Sequence, residues 1–127
     1  MKYLLSMMTI VMMSGFATAA MTEDITMNEL ENRIEAGTVT LLDVNGTSTY
    51  KKGHIPGAID FESQKAMLAA QLPEDKDALI VAYCGGPKCS AYKRGVKAAK
   101  ELGYTNIKHF SEGLSGWKAA EKEVETE

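Results

Sequence analysis

A cysteine stands where a predicted buried strand gives way to a glycine-rich loop, and this junction constrains the fold more than any other feature. The apolar run 78–83 predicts a strand, Cys84 follows it directly, and Gly85 and Gly86 open the loop. A helical pattern begins at about Ser90, which can cap it. A thiol at such a junction lies over backbone N–H groups at the positive end of a helix, which lower its pKa. Cys84 is therefore a candidate nucleophile.

The N-terminal segment has the pattern of an export signal. Lys2 precedes an apolar, methionine-rich run that continues to about Phe16, and Ala-Thr-Ala at 17–19 has the A-x-A form of a signal-peptidase site. We predict a signal peptide over 1–19 and a single domain over 20–127, located in the periplasm or secreted. The apolar run is too short and too interrupted for a membrane span, so no stable membrane association is expected after the signal is removed. A retained N-terminal anchor is the alternative.

Charge and cysteine content exclude some functions and leave one question open. The formal net charge is −3, and no basic patch or basic amphipathic segment predicts binding to nucleic acid or to a membrane surface. The chain has two cysteines, Cys84 and Cys89. In an exported protein such a pair would ordinarily suggest a disulfide. That interpretation competes with the role of Cys84 as a nucleophile.

Strand and helix patterns alternate along the chain. A helix is predicted between Thr26, which begins a capping box, and Gly37. Further helices are predicted over 62–72, 90–102 and part of 113–122, strands over 39–44, 58–60, 78–83 and 107–110, and a loop over 45–52. This order predicts an α/β fold with a mainly parallel central sheet flanked by helices. Ligands bind such sheets beyond the carboxyl ends of the strands, where Cys84 lies.

Three segments resemble, in their order and spacing, the motifs of the single-domain rhodanese-like sulfurtransferase family. The first runs from Leu-Leu-Asp-Val at 41–44 through Tyr50 to Gly-His-Ile-Pro-Gly-Ala at 53–58. The second is the loop 83–91, with Cys84 at the nucleophile position, and the third is Glu-Gly-Leu-Ser-Gly-Trp at 112–117. The resemblance implies a rhodanese-like fold over nearly the whole of the predicted domain.

The resemblance also implies covalent sulfur transfer through Cys84. The thiolate would take a sulfane sulfur from thiosulfate or polysulfide, become a persulfide, and pass the sulfur to a thiol, a protein or cyanide. Backbone N–H groups of the loop would hold the anion. The substrate-binding residues implied are Gly85, Gly86, Pro87, Lys88, Cys89 and Ser90. No cofactor and no metal are expected.

The loop departs from the pattern of many thiosulfate-using family members, which carry an arginine just before the Ser or Thr that ends it. Here that position is Cys89, and Lys88 is the one cation of the loop. A guanidinium binds an oxyanion through two parallel hydrogen bonds, whereas lysine acts as a point charge. Cys89 is either a resolving thiol, which would leave a Cys84–Cys89 disulfide, or a bystander. The alternative function is a persulfide carrier or a non-catalytic binding or redox module that uses both cysteines.

Other chemically active side chains are predicted to have structural roles. Asp43 and His54 are expected to stabilise turns, Tyr83 and Trp117 to pack in the core, and His109 to be partly exposed on a short strand. Tyr92 is expected at the mouth of the pocket. The spacing of the cysteines is a weak zinc signal, and serine rather than arginine at position 90 argues against a cysteine phosphatase.

Overall fold

A wholly parallel sheet of five strands forms the centre of the computed structural model, which describes residues 22–127. The strands are β1 (Glu23–Asp24), β2 (Thr40–Asp43), β3 (Ile59–Asp60), β4 (Ile80–Tyr83) and β5 (Ile107–His109). Their spatial order is β1-β5-β4-β2-β3. The predicted α/β fold with a mainly parallel sheet is confirmed, whereas the predicted signal peptide over 1–19 lies outside the described residues.

Helices connect the strands and pack on both faces of the sheet. They are α1 (Met27–Ala36), α2 (Thr47–Lys52), α3 (Phe61–Gln64), a 3-10 turn (Lys65–Met67), α4 (Leu68–Gln71), α5 (Tyr92–Glu101) and α6 (Gly113–Ala119). Within residues 22–127, none of these helices has the length and apolar content needed to cross a membrane.

Alternate residues of the central strands divide the core into two clusters, one on each face of the sheet. Val81 and Tyr83 of β4 pack in the cluster that includes Trp117 of α6. Ile80 and Ala82 pack in the other cluster, with side chains of α3, α4 and α5. Because helices cover both faces, β4 is completely buried. The chain therefore leaves β4 at the carboxyl edge of a sheet whose two faces are both covered by helices.

The helix predicted between Thr26 and Gly37 is confirmed. Thr26 Oγ1 accepts a hydrogen bond from the Glu29 backbone N–H at 3.1 Å, and Gly37 ends the helix with a left-handed φ of 68°. The four predicted strands are also present, each one or two residues shorter than expected. Periodicity and capping residues are local signals, so these elements could be predicted without knowledge of the fold.

The prediction of a loop over 45–52 is wrong, because Thr47–Lys52 forms α2. Two carboxylates from a distant part of the chain stabilise its first turn. Glu62 Oε2 accepts the Thr47 backbone N–H at 3.1 Å, and Asp60 Oδ2 accepts the Thr47 hydroxyl at 2.7 Å. An N-terminal cap supplied from β3 and α3 leaves no local trace in the polar sequence of α2.

The helix predicted over 62–72 is present only in pieces. It begins one residue earlier, at Phe61, and is divided into α3, a 3-10 turn and α4. The backbone departs from helical angles at Gln64 (φ −104°, ψ −5°) and Met67 (φ −121°, ψ 19°). The apolar side chains of Phe61 and Leu68 are nevertheless both buried in the core, so the broken helix covers the same face of the sheet as a continuous one would.

A buried hydroxyl joins β2, β4 and the turn that precedes β3. Tyr83 Oη donates to Asp43 Oδ2 at 2.7 Å and accepts the Ile55 backbone N–H at 3.0 Å. Asp43 Oδ1 accepts the Asn45 backbone N–H at 2.9 Å, which confirms the predicted turn role of Asp43. Tyr83 packs in the core as predicted, and burial raises the pKa of the Asp43 carboxyl above its usual value.

The C-terminal segment is tied to the turn around His54 and to α6. His54 Nδ1 lies 2.8 Å from the Tyr50 carbonyl oxygen, and its ring stacks on that of Tyr50 with 3.7 Å between centroids. The backbones of His54 and Glu125 exchange hydrogen bonds in both directions. Trp117 Nε1 donates to the Glu123 carbonyl at 2.7 Å. The predicted structural roles of His54 and Trp117 are confirmed.

We predict that Tyr83→Phe lowers the free energy of unfolding by about 2–4 kcal/mol, because it leaves the buried Asp43 Oδ2 and the buried Ile55 N–H without a partner. The measurement is urea unfolding at neutral pH. Tyr104→Phe is the matched control, since its hydroxyl is also buried in part but donates a single hydrogen bond, to the Pro73 carbonyl. Equal losses of stability in the two variants would contradict the role of the Tyr83 hydroxyl.

Candidate active site

Cys84 follows β4 directly and lies at the carboxyl edge of the sheet. Its side chain is 1% exposed. The backbone N–H groups of Gly85 and Tyr92 lie near its sulfur and act to lower the pKa of the thiol. One donor is the first loop residue and the other is the first residue of α5, so the loop closes around the thiol. The sequence predicted donors from Gly85 to Ser90 and missed Tyr92.

Cys89 folds back onto Cys84. Its backbone N–H donates to the Gly86 carbonyl at 3.1 Å, which turns the loop. The two side chains are free thiols that lie close enough for each to shift the pKa of the other. Cys89 is half-buried and also accepts hydrogen bonds from the backbone N–H groups of Gly85 and Ala91. Backbone donors from both ends of the loop therefore converge on a pair of sulfur atoms.

The expectation that the loop lowers the pKa of Cys84 is wrong. The pKa of the Cys84 thiol is raised to about 11, and burial is the largest cause. The adjacent Cys89 thiol also raises it, and the backbone N–H groups of Gly85 and Tyr92 lower it by less. Partial burial also raises the pKa of Cys89, but hydrogen bonds from the Cys84 thiol and from two backbone N–H groups lower it overall. Cys89 is accordingly the more readily ionised of the two thiols.

Gly113, at the start of α6, holds the cysteine loop from the other side. The Leu114 N–H donates to the Cys84 carbonyl and the Ser115 N–H to the Gly85 carbonyl, both at 2.9 Å. Gly113 has a φ of +61°, and a Cβ there would lie 2.6 Å from the Cys84 carbonyl oxygen and 2.7 Å from the Gly86 nitrogen. Glycine is thus required for both conformation and space. The sequence analysis placed it in a motif without finding this role.

The remaining predicted site residues form the rim of the loop. Gly86 is half-buried, and a Cβ there would lie 2.8 Å from Ser115 Oγ. Pro87, Lys88 and Ser90 are exposed. Ser90 does not cap α5 with its side chain, and only its carbonyl accepts the Lys93 N–H. Their part in substrate binding stays a prediction.

His109 is buried rather than partly exposed, which corrects the sequence prediction. Its side chain ring stacks on Tyr92 with 3.3 Å between centroids and 7° between planes. The reason is that α5 begins against the end of β5, and the Tyr92 ring covers the histidine. Burial lowers the pKa of His109, and its Nε2 atom has no hydrogen-bond partner. The stack fixes Tyr92, whose N–H donates to Cys84.

No group of three or more His, Cys, Asp or Glu side chains among residues 22–127 is arranged to hold a metal ion. The site consists instead of two thiols, the backbone donors around them, and the exposed cations Lys88 and Arg94 nearby. The charge of Arg94 acts on Cys89. Such a site suits a small anion that reacts with sulfur.

Comparison with known proteins assigns the whole of this architecture to one family. Residues 26–120 match the family described as Rhodanese-like domain. The chain is 41% identical over 97 residues to the HTH-type transcriptional regulator Rv0324 of Mycobacterium tuberculosis, a match that covers 76% of this chain and 42% of the regulator. The chain therefore spans less than half the length of that relative.

Two further relatives are matched over most of their length. The thiosulfate sulfurtransferase GlpE of Shewanella oneidensis is 24% identical over 97 residues, which are 76% of this chain and 92% of GlpE. The solution structure of the rhodanese-like domain of the Anabaena sp. protein Alr3790 is 28% identical, with a TM-score of 0.65 over 84% of this chain and 81% of that domain.

We predict that Gly113→Ala lowers the free energy of unfolding by about 3 kcal/mol or more, through backbone strain and the close approach to the loop. Gly37→Ala is the matched control, because its φ is +68° and nothing lies within 4 Å of the added Cβ. It should cost about 1 kcal/mol. Chemical denaturation measures both, and a difference of zero would show that the loop does not depend on this contact.

We predict that the two thiols respond in opposite directions to each other's removal. Cys89→Ala should lower the pKa of Cys84 below about 11, because the neighbouring sulfur raises it. Cys84→Ala should raise the pKa of Cys89, because it removes a hydrogen bond to the thiolate. The pH dependence of iodoacetamide alkylation measures both values. In the unaltered protein at neutral pH, peptide mapping should find Cys89 alkylated first; modification of Cys84 first would contradict this assignment.

Proposed function

Because the chain belongs to the rhodanese-like domain family, we propose that it is a sulfurtransferase acting through a Cys84 persulfide. The donor is thiosulfate or polysulfide, and the acceptor is a thiol, a protein or cyanide. One observation carries the proposal: Cys84 is buried directly after the central strand β4, in a loop whose backbone is held by the N–H groups of Leu114 and Ser115. The printed name of the relative GlpE, a thiosulfate sulfurtransferase, supports the same reaction class.

The proposed reaction has two steps. Cys84 attacks the outer sulfur of the donor as its proton passes to the Cys89 thiolate. The bond between the two donor sulfurs breaks, and sulfite leaves from thiosulfate, or a shortened polysulfide from polysulfide. The acceptor then attacks the terminal sulfur of the Cys84 persulfide and restores the thiol. The convergent N–H groups stabilise the persulfide anion between the steps, as fixed dipoles do in a site that excludes water.

Recognition of the donor relies on point charges rather than on a guanidinium within the loop. Cys89 occupies the place of the arginine that many thiosulfate-using members carry, and Lys88 is exposed beside it. The charge of Arg94, in the first turn of α5, reaches Cys89. These cations attract a small anion without the two parallel hydrogen bonds that select an oxyanion. A donor with a sulfur chain therefore suits the site at least as well as thiosulfate.

A second candidate is a persulfide carrier or a redox module, which the contact between the two thiols favours. The similarity to a transcriptional regulator is compatible with a rhodanese-like domain that acts as a sensor rather than as a catalyst. A carrier would load Cys84 quickly but turn over poorly with small acceptors. A redox module would cycle between thiols and disulfide without holding sulfur.

We also propose that residues 1–19 are a signal peptide and that the protein works in the periplasm or outside the cell. The A-x-A site at 17–19 supports this placement. The proposed partners are then a sulfur-containing anion and an exported thiol, with no part for nucleic acid.

We predict that thiosulfate or polysulfide adds sulfur to the reduced protein and that Cys84→Ser abolishes the addition. Intact-protein mass spectrometry measures the added sulfur, and the rate of thiocyanate formation from cyanide measures turnover. Loss of the nucleophile should lower turnover by about 10³-fold or more. Ser48→Ala is the control, since it alters an exposed position of α2 outside the cysteine loop and keeps both thiols.

The outcomes separate the candidates. Loading with turnover supports the sulfurtransferase, and loading without turnover supports the carrier. If neither donor loads Cys84 and the thiols only oxidise to a disulfide, the proposed sulfur transfer is wrong.

A further inference from the structure

We propose that Cys89 resolves the Cys84 persulfide: it attacks the Cys84 sulfur, expels hydrosulfide and leaves a Cys84–Cys89 disulfide that switches the site off. This inference rests on the proposed function, because it requires a persulfide on Cys84. It adds a second use of the same site, in which sulfur is released as sulfide without an external acceptor. An external dithiol then returns the site to its active form.

The contact between the two sulfurs carries the inference. The hydrogen bond from the Cys89 N–H to the Gly86 carbonyl turns the loop back on itself, and the two thiols lie close enough for each to shift the pKa of the other. Both are free, so no bond has to be broken before they react. A disulfide needs a sulfur–sulfur distance of about 2.05 Å, and a pair that already lies this close reaches it with a small movement of the exposed part of the loop.

Burial decides which sulfur each thiol can reach. Cys84 is 1% exposed, so a soluble thiol meets the terminal sulfur of its persulfide first, and the inner sulfur, which is the Cys84 atom itself, lies behind it. Cys89 already lies against that inner atom. The chain contains no other cysteine, so Cys89 is the one thiol of this protein that can attack it. Attack on the inner sulfur is the route that forms a disulfide.

The step balances without an outside oxidant. The proton that Cys89 accepted during loading first passes to the terminal sulfur, which gives Cys84–S–SH beside a Cys89 thiolate. This thiolate attacks the Cys84 sulfur; the new bond joins the two cysteine sulfurs, and the bond between the Cys84 sulfur and the terminal sulfur breaks. The terminal sulfur leaves with the electron pair and its proton as HS⁻. The sulfane sulfur is thereby reduced to sulfide, and the two cysteine thiols are oxidised to the disulfide. A dithiol of the solvent later reduces the disulfide and becomes a disulfide itself.

The ionisation of the two thiols also favours attack by Cys89 on the Cys84 sulfur. Backbone N–H groups of Gly85 and Ala91 lower the pKa of Cys89 and so favour its thiolate, which is the attacking form in thiol–disulfide exchange. Transfer of the Cys89 proton to the terminal sulfur makes hydrosulfide the leaving group and leaves the inner sulfur without a negative charge.

The experiment follows a loaded protein after the donor is removed. Reduced protein, Cys89→Ser and Cys84→Ser are each incubated with thiosulfate or polysulfide under anaerobic conditions, desalted, and sampled over time. Released sulfide is measured by colorimetry, and alkylated samples are weighed by intact-protein mass spectrometry. We expect the unaltered protein to release one sulfide per loaded sulfur while it loses two alkylatable thiols. In Cys89→Ser the persulfide should last about tenfold longer or more, because intramolecular attack is lost.

The result that would overturn the inference is equal persulfide lifetime in the unaltered protein and Cys89→Ser. A sulfur that stays on the unaltered protein with no disulfide would also overturn it, and would indicate transfer to Cys89 rather than resolution. Both results differ from failure of the proposed function, in which neither protein gains sulfur at all and the resolving step has no substrate. Addition of dithiothreitol to the closed protein should restore loading.

Discussion

The approach of α6 to the cysteine loop at Gly113 is the contact on which the geometry of the site depends. The loop from Cys84 to Tyr92 makes few backbone hydrogen bonds of its own and is positioned by the N–H groups of Leu114 and Ser115. A side chain at Gly113 would separate the two segments. Edge-on packing of Trp117 against Phe110, with 6.4 Å between centroids, in turn fixes α6 on the sheet. The direction of the Cys84 thiol is thus set from a segment almost thirty residues further along the chain.

The ends of β2 and β4 position the site through a second set of contacts, which does not involve α6. The Tyr83 hydroxyl connects the ends of β2 and β4 to Ile55, and Asp43 also accepts the Asn45 backbone N–H. Its position next to Cys84 in the chain means that a shift of Tyr83 moves the nucleophile directly. The His109–Tyr92 stack acts similarly at the other end of the loop, because it anchors the first residue of α5. The start of α6, the end of β4 and the start of α5 therefore all position the loop that carries Cys84.

The sequence predicted what is local and missed what is brought together by the fold. The Thr26 cap, the strands and the position of Cys84 after β4 all follow from periodicity and neighbouring residues. The cap of α2 comes from Asp60 and Glu62, and the burial of His109 comes from α5, so neither has a local signal. The strand β1 has only two polar residues and could not be recognised. The pKa of Cys84 was predicted in the wrong direction, because burial and a contact with Cys89 outweigh the loop N–H groups.

The cysteine at position 89 changes what the loop is suited to do. In a loop with arginine at that place, positive charge would lower the pKa of the nucleophile and bind an oxyanion, whereas here burial and the neighbouring Cys89 thiol raise the pKa of Cys84. Under the proposed function, the charge of a persulfide on Cys84 lies on the terminal sulfur, further from Cys89 than the Cys84 atom itself. The proposed site is therefore less selective for a sulfonate group than a loop that carries arginine.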